Sequence, residues 1–293
     1  MITILGASGN VGSKTTQILL GLGKKLRLIA RHADRLKHFT EKGAEIAAGN
    51  SFDAEFLAGA FAGSDSVLLM MPGDLASTDI GAHQDRMGLA QIQAIKKAGI
   101  KKVVFISSVG GHTEEKTGIV AGLARQEKRL NMLEDTDVMI LRPTYFMENL
   151  FGNIGMIKNM GINGSAIDAD KPMPFIATKD IAVVAAEYLA NPAFTGKTVR
   201  ALLGPRDYTM AEVTKALGTA IGKPDLPYVG FSFSDAIGGM MGAGISQSVA
   251  NSYIGLMEGI NEGVFGLEER NKETTTPTTI EEFASQFAMV YNM

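Results

Sequence analysis

At 293 residues, with 45% hydrophobic and 20% charged, the chain has the composition of a folded protein large enough for one substantial core. Thirty-one acidic residues against 28 basic ones leave a net charge of −3, which argues against a nucleic-acid partner. There are no cysteines, so disulfides, thiolate metal sites and cysteine nucleophiles are excluded.

In chain order, short apolar runs alternate with helix-length amphipathic segments. The runs are "ITILG", "KLRLIA", "AEIAA", "DSVLLMM", "KKVVFIS" and "DVMILRP". Runs this continuous suit strands of a parallel sheet buried on both faces by helices. Between the first two, Val11, Thr15, Ile18, Leu19 and Leu22 share a helical face that Gly23 can terminate. A longer helix is expected from about Asp79 to Ala98, packing Met87, Leu89, Ile92 and Ile95 and breaking at Gly99. The alternation predicts an α/β fold with a doubly wound, Rossmann-like parallel sheet over residues 1–150.

Residues 151–293 read as a smaller C-terminal lobe for substrate or partner, with some segments returning to the main domain. "TKDIAVVAAEYLAN" reads as a helix with Thr178 as N-cap, and "KTVRALLG" as a strand. "TMAEVTKALGTAIG" carries a capping box from Thr209 to Glu212, and "TPTTIEEFASQFAMVY" closes the chain as a final helix. The Gly- and Met-rich "GFSFSDAIGGMMGAG" suits an adaptable apolar lid, an interface helix or plain core. No run reaches the ~18 apolar residues of a membrane helix. Met1 leads straight into a strand without a basic leader, so a cytoplasmic protein with no membrane partner is expected.

"GASGNVGSKT", directly after the first strand, raises two phosphate-binding possibilities. A triphosphate loop needs four residues between its glycines and then Lys-Ser/Thr. Here five residues separate Gly6 from Gly12, and Ser13 intervenes before Lys14, so that reading fails. Gly6, Gly9 and Gly12 instead suit a dinucleotide turn, with backbone N–H groups and a helix dipole facing the pyrophosphate and Ser8 and Asn10 adding donors. The second strand ends at Arg31 and His32, with Asp34 displaced to the next turn. A guanidinium can grip a 2′-phosphate bidentately, so NADP(H) is preferred over NAD(H), unless Arg31 is merely a solvated charge.

Taken together, "GASGNVG", "GNSFD", "AGIKKVVFISSVG", "ILRPTYFMENL" and "TPTTIEEFA" resemble the NmrA-like family of atypical short-chain dehydrogenase/reductases, in the style of the bacterial NAD(P)H:quinone oxidoreductases. The resemblance spans nearly the whole chain. It implies NADP(H) on the Gly6–Gly12 loop, including Ser8, Gly9, Asn10 and Val11, with Arg31 and His32 alongside. It also implies adenine contacts near Asn50, where many relatives carry Asp. Met71 and Pro72 are implied along the cofactor ribose, and Ser107, Ser108 and the loop Pro143-Thr144-Tyr145 near the nicotinamide.

Typical short-chain dehydrogenases place Tyr-x-x-x-Lys on the helix after the fifth strand; "TGIVAGLARQEKRLNML" holds no tyrosine. Relatives often carry His and Glu on this helix, and the matching positions here are Gln126 and Leu130. Gln126, Lys128 and Tyr145 remain as catalytic candidates, while Glu127 and Lys128 also read as a solvated helix face. Reducing a simple ketone leaves an alkoxide about as basic as hydroxide, whose parent water has a pKa of ~15.7. Reducing a quinone leaves a phenolate-like anion with basicity near a tyrosine's pKa of ~10, which water can protonate. The missing tyrosine therefore argues against alcohol dehydrogenation and points to NADPH-dependent reduction of a small flat acceptor such as a quinone. Tyr145 and Phe146 could stack on such an acceptor, with Asn149 bonding a carbonyl, or the aromatics could simply pack. His83 and His112 read as helix-surface and loop residues, and no metal site is expected. The alternative function is a non-catalytic, NADP(H)-sensing regulator; a homodimer or a regulatory protein partner is left open. A third possibility is an isomerase or reductase of phenolic substrates.

Overall fold

The computed structural model describes residues 1–266 and 268–293. Its first half alternates β1 (Ile2–Leu5), α1 (Asn10–Gly21), β2 (Leu26–Ala30), the short α2 (Lys37–Thr40) and β3 (Glu45–Ala48). It continues with α3 (Ala54–Phe61), β4 (Ser66–Leu69), α4 (Ile80–Ala98), β5 (Lys102–Ile106), α5 (Ala121–Asn131) and β6 (Asp137–Pro143). The second half contains β7 (Tyr145–Phe146), α6 (Ile154–Met160), β8 (Asn163–Ser165), β9 (Met173–Ile176), α7 (Thr178–Ala190) and β10 (Lys197–Leu202). After these come β11 (Asp207–Tyr208), α8 (Met210–Ala220), β12 (Tyr228–Gly230), α9 (Phe233–Gly242), α10 (Gln247–Glu262) and α11 (Ile280–Tyr291).

Seven strands form one parallel sheet in the order β10-β6-β5-β4-β1-β2-β3. The order reverses between β1 and β4, and the crevice outside the carboxyl ends of strands at such a point is where this fold binds ligands. Alternate residues of each strand enter opposite cores. Ile4, Leu28, Leu68, Val104 and Leu141 meet α1 and α7 on one face. Leu5, Ile29, Val67, Phe105 and Ile140 meet α3, α4 and α5 on the other. Each fully buried Leu, Ile or Phe contributes roughly 1.5–3 kcal/mol. β3, at the sheet edge, is only half-covered rather than buried on both faces, and its Glu45 pairs with Arg27 of β2 at 3.1 Å.

A third core gathers Met147, Phe175, Tyr208, Val213, Leu217, Phe283 and Phe287 into the C-terminal lobe. Residues beyond 150 also complete the main sheet: β10 pairs with β6, and α7 packs on α1. The capping box of α8 forms, Thr209 Oγ1 accepting from Glu212 N at 3.1 Å and Glu212 Oε2 from Thr209 N at 2.8 Å. Asp79 caps α4, and Gly99 ends it at φ +64°. Three expectations are corrected. Leu89 and Leu22 are 51% and 59% exposed, because they fall off the buried stripes of their helices. Thr178 is the first helical residue of α7 rather than its cap; its side chain donates instead to Glu148.

Candidate functional site

Gly6 leaves β1 with φ +79°, the left-handed region that glycine enters without strain. A side chain there would stand 2.3 Å from the Met70 sulfur, and one at Gly12 would stand 2.2 Å from the Gly6 carbonyl oxygen. Gly6 is therefore required by its backbone conformation and Gly12 by close approach to the Gly6 carbonyl. Gly9, the N-cap of α1, makes no such demand, and no side chain caps the helix. The first N–H groups of α1, on Asn10, Val11 and Gly12, are left to an incoming anion, with the dipole aligned behind them. Lys14 points elsewhere, donating to Thr178 Oγ1 at 2.6 Å and pairing with buried Glu148 at 3.3 Å. Thr15 is buried and bonds the Val11 carbonyl at 2.9 Å. The Lys-Thr pair belongs to helix packing.

A cleft opens at the carboxyl ends of β1 and β2, and Gly6, Ser8, Arg31, His32 and Pro72 line it as the sequence suggested. Arg35 joins them because the 3-10 turn Ala33–Leu36 folds the chain back after Arg31. Among the described residues, Arg31, His32 and Arg35 have no acidic partner. Asp34 is turned to solvent, where its hydrogen bond to Lys37, at 2.6 Å, holds its carboxyl below the usual range. The cleft lining thus brings three basic side chains together with one carboxylate, Asp74, beside the turn that leads into α1. Asn50 does not line it; its Oδ1 accepts from Phe52 N at 3.0 Å, and Ser51 and Phe52 reach the cleft instead. Met71 is half-buried against the core, outside the cleft.

Ser107, Pro143 and Tyr145 lie at the carboxyl ends of β5 and β6. Ser107 is buried, and its hydroxyl donates to Glu127 Oε1 at 2.5 Å. Arg142 grips the same carboxylate, Nε to Oε1 at 3.0 Å and Nη2 to Oε2 at 2.6 Å. Glu127 is therefore no solvated face: it is 3% exposed, its charge balanced by the bidentate guanidinium. A side chain at Gly111 would strike Glu127 Oε1 at 2.2 Å, so the loop after β5 closes directly over this pair. Lys128 is exposed and paired with Glu114 at 2.6 Å. Gln126 is fully buried between α5 and α4, its amide nitrogen donating to Gln91 Oε1 at 3.1 Å and to the Gly88 carbonyl at 3.4 Å.

Tyr145 packs its ring edge-on to Phe175 at 5.2 Å. Burial pushes its phenol up to about 12, with Tyr253 and Tyr228 adding repulsion, so it is a neutral donor at neutral pH. Phe146 is half-buried against the main core, and Asn149 is exposed on the 3-10 turn Met147–Asn153. Among the described residues no cluster of His, Asp and Glu is arranged for a metal ion, and no helix is long and apolar enough to cross a membrane.

The chain belongs to the NmrA-like family, which it matches over residues 1–284. It is 26% identical to the NAD(P)H azoreductase of Xenophilus azovorans over 252 residues, covering 86% of this chain and 84% of the relative. The fold is shared with the NADPH-dependent quinone oxidoreductase of Escherichia coli, crystallised with NADPH (TM-score 0.76, 22% identity, 98% and 99% of the two chains). It is also shared with the triphenylmethane reductase of Citrobacter sp., crystallised with NADP(H) (TM-score 0.82, 18% identity, 98% and 100%).

Proposed function

We propose that this chain is an NADP(H)-dependent oxidoreductase that reduces a small, flat, conjugated acceptor such as a quinone. The observation that carries the reading is the cleft beside the glycine turn, where Arg31, His32 and Arg35 face it without acidic partners. Gly6, Ser8 and the N–H groups of Asn10, Val11 and Gly12 hold the pyrophosphate. Arg31 and Arg35 hold the 2′-phosphate, and Asp34 pairs with Lys37 outside the cleft lining instead of offering an acid to a ribose hydroxyl. The bound cofactor supplies a hydride.

Family membership and the azoreductase, quinone oxidoreductase and triphenylmethane reductase likenesses support a reductase. The site's own chemistry narrows the acceptor. α5 offers no tyrosine, and its buried carboxylate is committed to Arg142 and Ser107. Such a site has no strong acid for an alkoxide, and it suits an acceptor whose reduced form is a weak base that water can protonate. Tyr145, its phenol pushed up to about 12 by burial, can hydrogen-bond that acceptor but is a weaker acid than an ordinary tyrosine. Mixing the purified protein with NADPH, soluble quinones and an azo dye should oxidise NADPH above background, followed at 340 nm. Tight NADPH binding with no turnover on any acceptor would overturn the reductase reading and favour the sensing one.

A further inference from the structure

α10 spans the loops that leave β4 and β5. At its start, the Ser246 N–H donates to the Leu75 carbonyl at 2.9 Å, and Ser248 Oγ accepts from the Ile80 N–H at 3.1 Å. Farther along, a side chain at Gly118 would stand 2.1 Å from the Ser252 carbonyl oxygen and 2.3 Å from Leu256 N, so helix and loop meet backbone to backbone. Tyr253 lies between these two anchors. It shares a helical face with Val249, Leu256 and Ile260, and the last two pack in the same core as Tyr145. Both tyrosines are half-buried, and neither hydroxyl makes a hydrogen bond among the described residues. Neither is sealed from solvent, since His83 Nε2 is the sole closed and unpaired side-chain nitrogen or oxygen among the described residues that are not exposed. The Tyr253 phenol stands close enough to Tyr145 to oppose its ionisation. Two open hydroxyls are thus brought together, one carried by the loop after β6 and one by α10.

We propose that Tyr253 is a second hydroxyl donor to the acceptor, supplied by α10 where α5 has no tyrosine. The inference rests on the reductase reading above. Hydride transfer to a quinone leaves NADP⁺ and a hydroquinone monoanion, and water supplies the proton that completes the hydroquinone. Negative charge grows on a quinone oxygen as the hydride arrives, and an O–H aimed at that oxygen stabilises the transition state more than the ground state. Burial holds the Tyr253 phenol above its ordinary 10.0, so it stays neutral and donates a hydrogen bond without giving up its proton. Two donors suit an acceptor with two heteroatoms, as a quinone or an azo compound has. A cationic triphenylmethane dye is the contrast. Its central carbon takes the hydride, the product is neutral, no oxygen gains charge and no proton is needed.

The test compares the wild-type protein with Tyr253→Phe, which removes the hydroxyl and keeps the ring, using NADPH with menadione and with malachite green. In the variant, kcat/KM for menadione should fall by about ten- to a hundredfold, the worth of a hydrogen bond to a charged group. Turnover of the dye, followed by its loss of colour, should fall much less, because its reduction makes no oxyanion. NADPH affinity, read by fluorescence titration, should stay within about twofold of wild type, and thermal melts confirm that the variant is folded. If wild type reduces menadione alone, a menadione loss with NADPH affinity kept supports the inference. No menadione loss in folded Tyr253→Phe, an equal loss with both acceptors, or a wild type that reduces only the dye overturns this inference and leaves the reductase reading intact. Wild type that oxidises NADPH with neither acceptor overturns both.

Discussion

Arg31 stands at the end of β2 with no acidic partner among the described residues, so its charge is free for a ligand. Charge-assisted bonds from a guanidinium to phosphate are worth roughly 1.5–3 kcal/mol, and a ribose hydroxyl gains nothing comparable. Arg31→Asp should therefore weaken NADPH by about ten- to a hundredfold while changing NADH much less, read by fluorescence titration with each cofactor. Equal losses for both would mean that Arg31 does not distinguish them. At this scale the sequence was informative wherever chemistry is local. The glycine spacing and the Arg31–His32 strand end are both written in a few consecutive residues. Arg35 and His83 were not legible as cleft residues, because one depends on a 3-10 turn and the other on a helix crossing from elsewhere.

At the scale of elements, Glu127 ties α5 to the ends of β5 and β6 through Ser107 and Arg142. Its carboxylate accepts three hydrogen bonds and is nearly inaccessible, so removing it strands a guanidinium whose next acid, Glu268, is 3.8 Å away. Glu127→Ala should lower stability by about 3–5 kcal/mol, and Glu127→Gln by less, measured from denaturant midpoints. A loss below about 1 kcal/mol for the alanine variant would show that water already screens the pair. Helix periodicity pointed the other way, since Glu127 lies in a charged run, "RQEKR". A run of charges looks solvated unless the residue that answers it is known. Arg142 lies near the end of the apolar strand β6, and the sequence gave no sign that it would turn toward α5.

For the molecule as a whole, the shifted groups define a pH window. Asp137 is held low by the Lys102 ammonium and then by the Gly196 N–H, and Glu212 by the Thr209 N–H of its capping box. Their folded pKa values lie below the ordinary 3.8 and 4.5, so the stability they confer is present above those values and lost as pH falls. Tyr145 shifts upward, from 10.0 to about 12, so its contribution is present below 10.0 and lost as pH rises toward 12. Thermal melts should hold a plateau through neutrality and decline on both flanks, with an alkaline tyrosinate transition near 12 in the ultraviolet. A tyrosinate titration complete near 10 would contradict the burial of Tyr145.

The sequence alone determined the parallel α/β layering and the place of the glycine turn. Apolar strand runs with helical spacers leave few ways to bury both faces of a sheet, and a glycine turn needs only its own backbone. It also showed that α5 lacks a tyrosine. Tertiary structure decided where the other polar residues of α5 stand. It put Gln126 between helices, Lys128 in solvent and Glu127 against Arg142, and it brought β10 and α7 back from the second half to complete the main domain. Each of those outcomes depends on which side chain meets which across distant segments. Burial and charge pairing are settled only when those segments are packed together.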